Sequence, residues 1–249
     1  MKILKLFLTA SFFISLLAGF SAGTLLFNRK NEVSQSISTE SSNPTLPSDQ
    51  KSIWLIAVDR LNTMKPKIEG IWLLTYIPNY TTVKPLPLFP SNNSKQDAEI
   101  TKAFSLTSDH KIAQEFWDFL KKHGHPVHDY IVFDEEAAVS IINIYGGVRI
   151  QGSNLSGLEA LQQIPKTWDD PQGSLRGQVI IMDSICKSIF NKRIVPNMDM
   201  LQKEIGKHIS SNLDFGEKSQ EWQKLIMSGN HKACDFSDIY EKTHLTTNP

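Results

Sequence analysis

The sequence predicts an α/β protein, a three-layer α-β-α sandwich with a mixed central sheet, preceded by one transmembrane helix. Residues 53–58 (IWLIAV) and 71–77 (IWLLTYI) are continuous apolar runs, the pattern of strands covered on both faces. Between residues 130 and 150 a Tyr-led strand, a capped helix and a Gly-Gly restart follow one another with sharp ends. Strand-type and helix-type stretches then alternate along the chain, which favours helices on both sides of a sheet. With 249 residues, 40% of them hydrophobic, the chain is long enough to bury an ordinary core, and its length favours one domain with appendages.

The first 30 residues stand apart. Lys2 and Lys5 precede an uncharged stretch over residues 6–27, which Asn28-Arg29-Lys30 closes. About 20 apolar residues cross a bilayer, so residues 1–30 read as a single-pass anchor in the cell membrane. A cleaved signal is the alternative, because Ser21-Ala22-Gly23 has the small residues a signal peptidase accepts. The basic amino terminus stays cytoplasmic and the rest is exported. Residues 31–51 are rich in Ser, Thr and Asn and cannot bury enough surface to offset their ordering entropy, so they read as a flexible linker. The extracytoplasmic domain then occupies residues 52–249.

Asp59 ends the first strand and Glu69 lies just before the second. Antiparallel pairing of the two strands would bring these carboxylates face to face across the connecting loop. Residues 84–90 hold three prolines and must be extended or an edge, and residues 91–99 read as polar loop. Ile112, Phe116, Phe119 and Leu120 recur at helical spacing until Gly124. In the central unit Asp134 is placed to cap a helix with Glu135 and Glu136 in its first turn. Ala138, Ile141, Ile142 and Tyr145 form its apolar face, and Gly146-Gly147 end it. A short helix is expected over residues 155–164 and a long one over residues 175–190. Another helix is expected over residues 198–209, then a polar segment containing Trp222, and a last strand near residues 232–236.

Lysine plus arginine and aspartate plus glutamate balance at 26 each. No basic field exists to recruit nucleic acid. His123, His125 and His128 lie in a Pro-containing loop without cysteine or carboxylate at metal-site spacing, and read as solvent-facing side chains. Cys186 and Cys234, the only cysteines, form either a disulfide or two buried thiols. Asp59 with Glu69 supplies oxygen ligands of the kind a hard divalent ion uses, although strand-end carboxylates need no such role. Asp169-Asp170 precede a proline as in an ordinary turn. Arg176 opens the expected long helix, where a cation and free amide groups suit a phosphate. No Gly-x-Ser-x-Gly elbow, phosphate-cradling P-loop or dinucleotide fingerprint is present.

These pieces resemble, in order, the domain of the LytR-CpsA-Psr family of cell-envelope proteins, across residues 52 to about 240. The opening strand with Asp59 is similar to the family's first strand, and Glu69-Gly70-Ile71 stands where the family has Asp-Thr. The closest match runs from His128-Asp129-Tyr130 to Gly147-Val148. Leu158-Glu159-Ala160-Leu161 and Arg176-Gly177-Gln178 resemble the two halves of the family's arginine-rich segment. The resemblance implies a membrane-anchored phosphotransferase that moves a glycopolymer from a polyprenyl-pyrophosphate carrier to peptidoglycan or another cell-wall acceptor. It implies Asp59 and Arg176 in catalysis. Arg176, Gln178, Lys166 and Arg60 would then bind substrate, and Asp59 with Glu69 would hold a magnesium or other divalent ion.

The sequence departs from the family pattern where charge matters. Phe89-Pro90-Ser91-Asn92 replaces an arginine and its carboxylate neighbour, Pro165 and Thr167 flank Lys166 where two arginines belong, and Glu99-Ile100-Thr101 replaces a Lys-Ile-Asn. One lost transition-state donor costs roughly two to three orders of magnitude in rate, so three missing arginines imply weakened chemistry. A transferase of reduced activity and a non-catalytic relative that binds a polyprenyl carrier or an envelope partner are both consistent with this pattern.

Overall fold

Strand β1 (Lys51–Val58) lies at the centre of a five-stranded sheet, paired antiparallel to β2 (Ile68–Tyr76) and parallel to β4 (Asp129–Phe133). Strand β3 (Lys84–Phe89) forms one edge beside β2, and β7 (Ile209–Ser211) the other beside β4, giving the order β3-β2-β1-β4-β7. The computed structural model describes residues 50–77, 83–91, 93–125, 129–150, 152–192, 205–214, 234–236 and 239. The expected anchor, nearly all of the linker, most of the expected helix at 198–209 and the segment around Trp222 lie outside them. Among the described residues no helix is long and apolar enough to cross a membrane.

Period-two alternation explains how one sheet supports two cores. On β1, Trp54 and Ile56 belong to a cluster with Ile100 of α1 (Ser94–Ala103) and with Phe116 and Leu120 of α2 (Gln114–Lys122). Ile53 and Leu55, which alternate with them along the strand, pack in a second cluster. That cluster takes in Ile141 and Ile142 of α3 (Glu135–Ile144), Ala160 of α4 (Gly157–Gln162), and Ile181 and Ile185 of α5 (Pro171–Lys192). On β4, Tyr130 and Val132 join the first cluster and Ile131 the second. The chain is thus α/β, with a mixed sheet and helices on either face. Pro85 and Pro87 sit in β3, an edge position where a missing N–H costs little.

The central unit follows its sequence closely. The Asp134 carboxylate accepts from the Glu136 and Ala137 amides at 3.1 and 3.2 Å, satisfying donors that the first turn of α3 leaves free. Gly146 and Gly147 take φ of 85° and 87°, the left-handed conformation that glycine adopts without a side-chain clash. The chain then restarts as β5 (Val148–Ile150), which pairs with β6 (Ser153–Leu155) in a separate hairpin.

Several boundaries differ from expectation. Residues 94–99, read as loop, belong to α1, which is capped by Asn93 accepting from Lys95 and Gln96; only Ile100 of that helix is buried, which leaves almost no apolar stripe to read. Ile112 precedes α2 and bridges to Leu106. Ser153–Leu155 is strand, and α4 starts after Ser156, whose side chain and that of Glu159 form a capping box. Helix α5 begins at Pro171, a residue suited to the first helical position because its missing N–H would be unpaired there anyway. Arg176 therefore sits in the second turn rather than at the helix opening. Ile209, expected to end a helix, is strand; Cys234, Asp235 and Phe236 are not strand, and β7 takes the sheet edge beside β4.

A disulfide joins Cys186 of α5 to Cys234, with Cα atoms 6.3 Å apart. Beside it Phe236 and Ile239 pack with Trp72, Leu175 and Val179, so the bond secures the carboxyl-terminal segment over α5 and β2. Closing a loop across 48 positions removes denatured-state entropy worth about 4 kcal/mol in the chain-entropy account. Cys186→Ser/Cys234→Ser should lower the unfolding free energy by up to that amount in urea titrations. An unchanged midpoint would show that the bond adds nothing to stability.

Candidate functional site

An apolar cavity of about 190 Å³ lies between the sheet and helices α3, α4 and α5. Leu55, Trp72, Ile141, Tyr145, Leu161 and Met182 are among its lining residues. A dry apolar cavity of about 150 Å³ already suffices to bind an aromatic hydrocarbon, so this one has room for an apolar group. It reaches the carboxyl ends of the parallel strands β1 and β4, where Ala57, Val58 and Phe133 line it. Open α/β sheets commonly bind ligands at that end. The polar lining residues are Glu69, Asp134, Glu135, Lys166, Ser174 and Gln178, and mutual contacts gather all of them except Asp134 into one partly solvent-exposed mouth.

Glu69 owes its place to a bulge. The β1–β2 register passes from Ala57↔Gly70 to Val58↔Ile68, so Glu69 is the extra residue and its carbonyl leaves the ladder. Two side chains satisfy that carbonyl: Thr167 Oγ1–H donates at 2.5 Å and Gln178 Nε2–H at 2.8 Å. Gln178 also donates to Ser174 Oγ at 3.0 Å, and its Oε1 accepts from the Trp72 indole N–H at 2.7 Å. The carboxamide passes so close to Gly70 that a side chain at that position would collide with it.

The charged pair faces outward from this network. Lys166 Nζ lies 2.7 Å from Glu135 Oε2 and 3.4 Å from Glu69 Oε1. Burial pushes the Glu69 pKa above the usual carboxylate value, although Lys166 opposes the shift. Burial also pulls Lys166 down, but its hydrogen bond to Glu135 and the two carboxylate charges outweigh that and hold it above the ordinary lysine value. The two directions agree once exposure is compared: the Glu69 side chain is 18% exposed and that of Lys166 41%, so the acid bears the larger desolvation. Behind the mouth, His208 Nδ1 meets the Asp134 carboxylate at 2.9 Å, and its Nε2 lies 3.0 Å from Glu136.

Of the residues singled out in the sequence, Glu69, Lys166 and Gln178 come together at the cavity. Asp59, Arg60 and Arg176 do not line it. Asp59 closes the β1–β2 connection: Oδ1 accepts the Lys67 amide at 2.8 Å and Oδ2 pairs with Arg60 at 3.0 Å. Arg176 is exposed. Glu135, Ser174, Trp72 and the Asp134–His208 pair were not singled out for the site. Only the helix-capping position of Asp134 and Glu135 was visible in advance. His123 is tied to the Phe119 carbonyl and His125 packs edge-on against Trp54; His128 lies outside the described residues.

A divalent ion does not fit these side chains as arranged. Among the described residues no group of three or more His, Cys, Asp or Glu side chains converges in a way that could hold one. Asp59 uses both oxygens within its own loop, and Glu69 and Glu135 converge on an ammonium. A dication about 4 Å from that ammonium would be repelled by about 8 kcal/mol at an effective dielectric of 20.

Two predictions follow from the network. Gln178→Leu leaves the Trp72 N–H and a Glu69 carbonyl lone pair unsatisfied and should cost about 1–3 kcal/mol in chemical denaturation; no loss would show that the bonds are unimportant. Glu69, facing Lys166 and Glu135, binds its proton more tightly folded than unfolded. Its contribution to stability is therefore present below its unfolded value near 4.5 and lost as pH rises through the raised folded value. Urea midpoints across pH should show that decline in the wild type and lack its Glu69 component in Glu69→Gln; identical profiles would contradict the assignment.

No protein-family profile and no curated protein matches the chain. Solved structures do. Protein gbs0355 from Streptococcus agalactiae aligns over 72% of this chain and 75% of its own, at 16% identity and a TM-score of 0.53. B. subtilis TagV aligns over 80% of this chain and 95% of its own, at 15% identity and a TM-score of 0.50. TagT bound to LIIa-WTA aligns over 72% of this chain and 75% of its own, at 13% identity and a TM-score of 0.49. The structure thus matches the fold of LytR-CpsA-Psr-family proteins at low sequence identity.

Proposed function

We propose that the protein is a divergent LytR-CpsA-Psr relative of the cell envelope that seats the isoprenoid tail of a polyprenyl-linked carrier in the apolar cavity and does not act as a glycopolymer transferase. In this reading residues 6–27 anchor the chain, and the cavity faces the outside of the membrane. The observation that supports it is the contrast between an apolar lining and a mouth whose cation is Lys166, shared by two carboxylates. Transfer from a pyrophosphate needs positioned cations to stabilise the charge gathering on the departing group. Among the described residues no arginine lines the cavity, and Arg60 is engaged with Asp59.

The tail site can be tested apart from the chemistry. Ala138 of α3 lines the cavity, so Ala138→Phe fills space a tail would occupy while adding an apolar group to an apolar wall. Displacement of a fluorescent prenyl probe by farnesol should be strong in the wild type and lost in Ala138→Phe, with the thermal midpoint of the variant not lowered. The same wild-type protein should give no turnover of a lipid-linked glycan onto peptidoglycan. Farnesol binding that Ala138→Phe leaves intact would remove the cavity from the account, and Lys166-dependent turnover would restore the transferase reading.

A further inference from the structure

We infer that the mouth holds its ligand's head group without a divalent cation, the Lys166 ammonium serving as the built-in counter-ion of Glu69 and Glu135. The inference rests on the reading of the cavity as a tail site and specifies the head that this site accepts. Two acidic side chains from distant parts of the chain, one on the β2 bulge and one in the first turn of α3, converge on a single point. In a metal site that point would belong to the ion, whose six or more oxygen ligands would include both carboxylates. The ammonium occupies it instead, at 2.7 and 3.4 Å from the two acids.

The remaining acidic groups are committed elsewhere. Asp134 caps α3 and meets His208, which also meets Glu136, and Asp59 lies in the β1–β2 connection. Among the described residues no third acidic side chain joins these two, so an ion there would depend on waters and the ligand's own phosphate oxygens for its remaining ligands. A bound metal would also have to displace the ammonium from both acids.

Charge counting then limits the head group. One cation faces two carboxylates, so a diphosphate would bring several further negative charges to a mouth that is already net negative. A monophosphate needs less compensation. It can take the ammonium from Glu135, whose side chain is 42% exposed and free to turn into water, while Glu69 stays fixed on its bulge. Glu135 is accordingly a competitor for the head group, and its removal should help the ligand.

The test uses the full-length chain in detergent micelles with farnesol, farnesyl monophosphate and farnesyl diphosphate, each titrated with magnesium and with EDTA. The monophosphate should bind at least as tightly as the diphosphate, and magnesium should change neither affinity by more than about twofold. Lys166→Met should weaken the monophosphate by about tenfold and leave farnesol unchanged, because one charge-assisted contact is lost and the tail site is not. Glu135→Gln should tighten the monophosphate, an outcome that a general loss of folding cannot produce. Diphosphate binding that rises about tenfold or more with magnesium and falls in Glu69→Gln would overturn the inference while leaving the tail site intact. Failure of all three ligands to bind would refute the tail site itself.

Discussion

A carboxylate held partly out of water beside an apolar cavity is the constraint on which the site depends. Glu69 occupies that position because the β1–β2 ladder bulges there, and its neighbours pair with its freed backbone carbonyl and balance its charge. Thr167 and Gln178 take up the carbonyl that the bulge releases, and Lys166 meets the side chain. Trp72 and Ser174 are fixed through Gln178, which joins β2 to α5. Gly70 follows from the same packing, since only a residue without a side chain admits the carboxamide so close to the strand. A backbone irregularity of one residue thus organises a loop, a helix and a cavity mouth.

The cavity is open to a ligand because its helices do not close on the sheet. The two halves of the molecule differ in this respect. On one face Phe104, Phe116 and Trp117 fill the space over Trp54 and Tyr130 with aromatic contacts. On the other, α3, α4 and α5 present Ile, Leu and Met side chains around a void. An apolar ligand entering such a void gains dispersion contacts that the empty wall lacks. The mouth then sets which ligands can enter, through one lysine shared between two acids.

The legible parts of the fold were those written in local sequence. Asp134, Glu135 and Gly146-Gly147 announced a helix and its ends, and the apolar runs at 53–58 and 71–77 announced the central strands. The polar helix α1 was hidden because Ile100 is its only buried residue, and β7 because three residues, ISS, carry too little pattern. The site was legible only in part. Glu69 stood out as a carboxylate at a strand end, and Lys166 and Gln178 by resemblance to a known family. The partnership of Lys166 with Glu135, 31 positions away, arises from the packing of the loop before α5 against the first turn of α3, which no local pattern encodes. Arg176 was misplaced by a helix start read four residues late, Leu175 for Pro171. That shift moves a side chain from the helix terminus to its second turn.

What the cavity contains when a prenyl ligand is present decides the role of this site, and a crystal structure with farnesyl monophosphate measures it directly. The expected result is density for the isoprenoid chain between Leu55, Trp72, Ile141 and Met182, with the phosphate within hydrogen-bonding distance of Lys166 and no metal ion between them. A cavity left empty in the presence of saturating ligand, or density for the chain on another surface, would contradict it.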